Sequence, residues 1–279
     1  MVAADGARSV IRQILGEQGK LQFEIKTIPI DAKPLCVPRC SVDGSGYCLE
    51  RGKFHGWTLC GGAQALAIPV SDDVCSGAIS FPANKDPFSN MTTAEEVVEF
   101  FQRDAPESLS KPISAEKAIE LIKRPIIRIY SLRCEQLHAE DKVLLLGDAA
   151  HAVNNLLGQG ANLALQDAQL FCEILDRLND DWCQALPTWT KERLACAHAV
   201  QEMSEYTTPP TPRMLREFRI RAQLRNLLPR WLAPILFGYD AMQLLLADTD
   251  LSCSEILKKT RWWSDRCKRV AQIQSSKTK

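Results

Sequence analysis

The order of apolar and polar positions divides the chain into a strand-like part, a mixed part and a helical part. From Leu21 to Phe81, short alternating and β-branched stretches are punctuated by Pro34, Pro38, Gly44, Gly46, Gly52, Gly56 and Gly61-Gly62, which predicts sheet. Within it, Gly44-Ser45-Gly46 suits a hairpin turn. Thr92 then predicts a helix N-cap with Glu95 three residues on, and Val97, Val98, Phe100 and Phe101 give the helix an apolar side. Ala115 to Ile122 predicts a further short helix, and Ile126 to Leu132 a strand leading back toward Val143. Beyond Asp176 the pattern is helical, interrupted at Pro209-Pro210-Thr211-Pro212, and Ser275 to Lys279 is expected to be disordered.

One segment, Val143 to Asp167, carries chemistry as well as pattern. Val143 to Leu146 suits a buried strand, Asp148 stands where that strand ends, and Gly158 and Gly160 would let backbone approach a ligand closely. The amides near Gly158, Gln159 and Gly160 would open a helix without intrahelical partners, which favours phosphate or another electron-rich group. A carboxylate only accepts hydrogen bonds, so Asp148 suits the hydroxyls of a ribityl or ribose chain. Donors and acceptor together describe a nucleotide-type cofactor better than a metal. The helix from Ala161 to Leu175 would pack through Leu163, Leu170, Phe171 and Ile174. His151 reads either as a proton relay or as a structural group, and a histidine so placed is more often structural.

A second motif stands at Val2 to Arg12, where a strand end, a tight turn and a helix start follow one another. Its Asp5-Gly6, Ser9 and Arg12, taken with Gly147-Asp148 and the following Gly158, Gly160 and Asn162, resemble the DG and GD motifs of the FAD-dependent single-component aromatic hydroxylases. The likeness runs over almost the whole chain, although the family's pattern begins well upstream of Met1. Its opening GxGxxG turn has no counterpart here. Where the family commonly carries proline before the GQG, this chain has Asn154-Asn155, which removes a fixed φ beside the expected flavin.

The resemblance implies an α/β fold, an N-terminally truncated Rossmann-like FAD-binding fold with an inserted β-sheet substrate domain and a helical C-terminal region. The corresponding divisions are 1–16 and 136–180 for FAD binding, 17–135 for the insert and 181–279 for the tail. It further implies FAD as cofactor, NAD(P)H as co-substrate, and O2 with a small, aromatic substrate as partners. One oxygen atom would be transferred through a flavin hydroperoxide, so the cofactor would carry the chemistry and no triad or metal box is required. Asp5 would reach the diphosphate region through water or neighbouring backbone, and Asp148 the ribityl hydroxyls. Gly158, Gln159, Gly160, Ala161 and Asn162 would face the pyrophosphate or the pyrimidine edge. No catalytic residue is assigned. Tyr47, Phe54, His55 and Trp57 could face a substrate, yet aromatics in a sheet are more often core. Ser9 and Ser131 read as isolated hydroxyls, and His198 as an exposed or core histidine. Alternatives are a non-catalytic remnant, a half that depends on a missing N-terminal FAD-binding segment, and an epoxidase using the same fold.

Composition adds exclusions. Lys+Arg and Asp+Glu both number 34 in 279 residues, so the charge balance offers no nucleic-acid footprint. The basic run from Arg213 to Arg230 suits a solvated face or a contact with a partner domain. No apolar run reaches the roughly 18 residues of a transmembrane helix. Leu227 to Phe237 could lie on a surface, but charge and proline break it. The eleven cysteines show no paired CxxC spacing, which argues against zinc. Their odd count, with no secretory pattern at Met1 to Asp5, predicts reduced thiols and a cytoplasmic location, with peripheral membrane association also open.

Overall fold

A computed structural model of the chain describes residues 1–41, 48–154, 157–206, 209, 211–229, 231–238 and 251–277. The turn expected at Gly44-Ser45-Gly46, Tyr47 and Asn155 lie outside the described residues. The chain forms two compact units, one of residues 1–26 with 130–279 and the other of Thr27–Ile129.

The first unit is built on a small sheet of β1 (Val2–Ala3), β8 (Val143–Leu145) and β7 (His138–Ala139), in the order β1-β8-β7. β1 and β8 are parallel, with Val2 opposite Leu144 and Ala3 opposite Leu145, while β7 runs antiparallel to β8. All three residues of β8 are buried. That suits a central strand, which has no solvent face to alternate with. Helix α1 (Val10–Glu17) follows β1 and is capped by Ser9, whose hydroxyl accepts from the Arg12 amide at 3.0 Å. The later helices of this unit are α5 (Asp148–His151), α6 (Gly160–Arg177), α7 (Trp182–Tyr206), α8 (Pro212–Leu227), α9 (Ala233–Phe237) and α10 (Cys253–Lys277). Leu144, Leu145, Leu186 and Trp189 centre one core, and Leu157, Leu163, Val200, Met203 and Ile256 a second.

The second unit is dominated by antiparallel sheet. β2 (Phe23–Pro38), β3 (His55–Thr58), β4 (Gln64–Pro69), β5 (Val74–Pro82) and β6 (Ile127–Cys134) take the order β3-β4-β5-β2-β6. Helices α2 (Ala94–Asp104), α3 (Glu107–Ser110) and α4 (Ala115–Lys123) complete the unit. Val37, Ile79 and Phe81 from the strands share a core with Phe88, Phe101 and Leu109.

Several expectations need correction. The cap of α2 is Thr93, not Thr92, and its box partner is Glu96, not Glu95. Two overlapping Thr-x-x-Glu registers exist; in the one adopted, Glu96 Oε2 accepts from both the Thr92 and Thr93 amides, at 2.7 and 3.1 Å. Leu170 is 37% exposed, so the packing stripe of α6 is Leu163, Asp167, Phe171 and Ile174. The tail from Ser275 is helical as far as Lys277. Not every thiol is reduced: Cys40 and Cys48 face each other across an antiparallel bridge and form a disulfide, while the other nine are free. No helix among the described residues is long and apolar enough to cross a membrane.

Candidate flavin site

The pairing of β1 with β8 brings the two motifs together. Asp5-Gly6 follows one strand and Gly147-Asp148 the next, so both leave the same, carboxyl end of two adjacent parallel strands. That is the end at which open α/β sheets bind ligands. Arg12 ties the motifs to each other. Its buried guanidinium donates to the Ala149 carbonyl at 2.9 Å and to the Ala7 carbonyl at 2.7 Å, and it lies 5.3 Å from the Phe23 ring centroid.

Asp5 has a local task as well. Its Oδ2 accepts from the Val10 amide at 2.9 Å, at the otherwise unpaired start of α1. Burial pushes the Asp5 pKa up, but donation by the Ser9 hydroxyl and by the Ile11 and Val10 amides outweighs it and holds the carboxylate below its ordinary range. Asp5 therefore shapes the loop, and its carboxylate stays exposed.

The Gly147 turn requires glycine twice over. Its φ is 57°, and an added Cβ would lie 3.1 Å from the Ala164 Cβ on α6. The turn delivers Asp148 to solvent as the first residue of α5, while Ala149, Ala150 and His151 behind it are buried. Gly158, at φ 63°, has open space where a side chain would stand. A Cβ on Gly160 would meet Asp148 Oδ1 and Val153 Cγ2, each at 3.9 Å. Asp148 thus stands beside the opening of α6. Gln159 is the N-cap residue but offers no side-chain cap, and its Oε1 instead accepts from Asn162 Nδ2 at 3.2 Å. The amides of Gly160, Ala161 and Asn162 therefore keep the donors that a helix start leaves over, with Ala161 and Asn162 exposed. Acceptor and donors meet at one place, which fits a polyol joined to a phosphate or a polarised ring edge.

Behind this surface lies a buried network that the sequence reading missed. Asp167, fully buried, accepts from the Gly147 amide at 2.8 Å and from His151 Nε2 at 2.6 Å through Oδ2, and from Arg193 Nε at 2.8 Å through Oδ1. His151 is consequently structural rather than a relay facing the ligand. A signal existed: Asp167 falls four residues from both Leu163 and Phe171, on the apolar stripe of α6, and Arg193 four from both Trp189 and Ala197, buried on α7. A charge at a core position implies a partner.

Of the other sequence candidates, Phe54 is exposed, and His55 stacks on Trp57 with ring centroids 5.9 Å apart. Trp57 donates to Ser108 Oγ at 3.0 Å, so it is engaged within its own unit. Ser131 is not isolated: it donates to Glu205 at 2.7 Å and accepts from Gln201 at 2.9 Å. His198 donates to the Cys134 carbonyl at 2.8 Å. Among the described residues, no group of His, Cys, Asp and Glu could hold a metal ion.

Residues 1–204 match the family described as FAD binding domain. The chain belongs to this family. The chain is 27% identical to kynurenine 3-monooxygenase from Sus scrofa over 206 residues, covering 74% of this chain and 42% of that protein. It is 32% identical to violacein synthase from Chromobacterium violaceum over 206 residues, covering 73% of this chain and 47% of that protein. The chain thus spans about half the length of the curated relatives it matches. Among solved structures, HpxO of Klebsiella pneumoniae, complexed with FAD and uric acid, aligns at a TM-score of 0.58 with 19% identity, over 77% of this chain and 53% of that one. The oxygenase of 2-methyl-3-hydroxypyridine-5-carboxylic acid aligns at 0.56 with 21% identity, over 73% and 52%. At such identity these two show the α/β fold alone.

Proposed function

We propose that this chain holds the ribityl and pyrophosphate part of FAD in a monooxygenase that uses NAD(P)H and O2 to hydroxylate a small aromatic substrate. One observation carries this reading: the DG and GD turns leave adjacent parallel strands, and the second places Asp148 against the open start of α6. The residues fit the cofactor. Asp148 would accept from ribityl hydroxyls, while the backbone from Gly158 to Gly160, with Ala161 and Asn162, would donate to phosphate or to the ring edge. FAD, when bound, would supply the reductive activation of oxygen.

The chain's own groups position and support. Asp5 and Ser9 fix the first loop, Arg12 clamps it to α5, and Asp167 holds Gly147 so that Asp148 projects outward. No side chain is assigned as catalytic acid or base. The Thr27–Ile129 unit is assigned to substrate binding on the family's likeness.

A second reading is favoured by the shared length. Because the chain spans about half of its relatives, the adenosine part of FAD would be held by a further FAD-binding segment, in the same protein or a partner. The test is purified chain with FAD and NADPH, with and without kynurenine as a trial aromatic substrate. Coupled NADPH and O2 consumption with a hydroxylated product supports an autonomous enzyme. Flavin uptake without turnover supports the second reading, and a chain that takes up no flavin overturns both.

A further inference from the structure

Helices α8 and α9 carry a face that the rest of the fold leaves uncovered. α8 buries Met214 and sets Phe218 against Trp263 of α10, with ring centroids 5.5 Å apart. Its opposite face recurs at helical spacing through Arg213, Arg216, Ile220, Leu224 and Leu227, all of them exposed. A turn at Pro229, whose carbonyl accepts from the Leu232 and Ala233 amides at 2.9 and 3.1 Å, then starts α9. α9 packs against α8 and adds Trp231 from the turn, with Ile235 and Leu236, to the exposed apolar surface. Arg213, Arg216, Ile220, Leu224, Leu236 and Phe237 line one open groove of about 540 Å³.

Charge and apolar surface are separated along this face. Arg213 and Arg216 stand in the first two turns of α8 and meet no carboxylate among the described residues. The acid beside them, Glu217, is already held, accepting from Arg221 at 2.9 Å and from both terminal nitrogens of Arg266 at 2.6 and 2.7 Å. At the other end Leu227, Trp231 and Ile235 are 80%, 71% and 72% exposed. Residues 211–238 hold six arginines against that one acid, in a chain of zero net charge. Apolar surface gathered in this way marks an interaction site. A second copy covers it poorly: a two-fold contact sets a face against itself, so its arginines would meet arginines or leucines and no free acid. An anionic bilayer supplies both needs, phosphates for the arginines and acyl chains for the apolar end, and tryptophan suits the boundary between them.

We infer that the exposed face of α8 and α9 docks on the surface of an anionic membrane. Leu227, Trp231, Ile235 and Leu236 enter the boundary between headgroups and acyl chains, to a depth of ~5–10 Å, while Arg213 and Arg216 contact lipid phosphates. The attachment is peripheral, since neither helix is long and apolar enough to cross. None of these residues belongs to the candidate flavin site, so the attachment stands apart from the proposed function.

The test is sedimentation of the full chain with vesicles of phosphatidylcholine alone, and with vesicles in which about a third of the lipid is phosphatidylserine. The chain should bind the anionic vesicles, less so as salt rises, and bind the neutral ones weakly. Arg213→Gln combined with Arg216→Gln should weaken the partition roughly thirtyfold, about fivefold for each arginine near an anionic surface. Leu227→Glu combined with Ile235→Glu should abolish it. All four positions are exposed, and circular dichroism with a thermal melt checks that the variants fold. Brominated lipid should quench the tryptophan emission of the parent chain and quench Trp231→Phe less. Sedimentation with neither kind of vesicle, equal sedimentation with both, or binding unchanged by the arginine pair would overturn the inference. So would a dimer, seen by light scattering without lipid, that Leu227→Glu dissociates, because a second copy would then cover the face.

Discussion

His151 Nε2 donates to Asp167 Oδ2 across 2.6 Å, in a site from which solvent is excluded on both sides. The same carboxylate oxygen accepts from the Gly147 amide, so one buried acid links α6 to the turn that presents Asp148. Arg193 takes the other oxygen. The surface chemistry of the candidate site therefore depends on an interior ion pair that touches no ligand.

Asp167→Asn should destabilise the chain by about 3–5 kcal/mol, the cost of leaving one member of a buried pair unmatched. Urea unfolding at pH 7 reads it directly. A loss below about 1 kcal/mol would mean that Arg193 and Gly147 find other partners.

Acid should act through the same group. Burial raises the Asp167 pKa, but the hydrogen bond from His151, the Gly147 amide and the Arg193 charge outweigh it, and the net direction is down. A folded-state pKa below the unfolded value of about 3.9 means that the unfolded chain takes up the proton first. The contribution of Asp167 is complete above that value and is lost as pH falls through the folded one. Stability measured from pH 5 to pH 2 should fall less steeply in Asp167→Asn than in the parent chain.

Two histidines set a milder dependence nearer neutrality. Burial lowers the pKa of His138, and burial also lowers that of His198 despite its bond to the Cys134 carbonyl. Protons therefore bind the unfolded chain preferentially below about pH 6.5. The stability these groups contribute is complete above that value and declines as pH falls through their lowered folded pKa values. Melting temperatures taken between pH 7.5 and 5 should drop, and His198→Gln should reduce the drop; a flat profile would contradict this.

Gly147→Ala should cost about 1–3 kcal/mol from its left-handed backbone alone. Contact with Ala164 at 3.1 Å adds to that cost. A thermal melt checks the loss of stability, and flavin titration should show weaker binding, because Asp148 is displaced with the turn. Full flavin affinity in a destabilised Gly147→Ala chain would separate the turn from the site.

The sequence made the surface of the site legible and its interior support obscure, for physical reasons. Gly147-Asp148 and Gly158 to Asn162 could be read because turn glycines, a strand-ending acid and free helix-start amides have local causes. The strand at Val143 and the helix at Ala115 were likewise readable from the pattern of apolar positions. Asp167 and Arg193 could not be paired, since they meet only once α6 and α7 pack. The capping register failed because Thr92 and Thr93 offer the same local chemistry. That Asp5 also accepts from the first amides of its own helix was not read from the sequence.

The account rests on Asp148 as the acceptor for the flavin side chain. Its most direct test is a titration of FAD fluorescence with the purified chain and with Asp148→Ala, at equal salt and pH. The account predicts saturable flavin binding by the parent chain. It also predicts a loss of about 1.5–3 kcal/mol in the variant, the worth of a hydrogen bond to a charged group, or roughly tenfold to a hundredfold in Kd. Equal affinity in a folded Asp148→Ala chain, or no flavin binding by the parent, would contradict it.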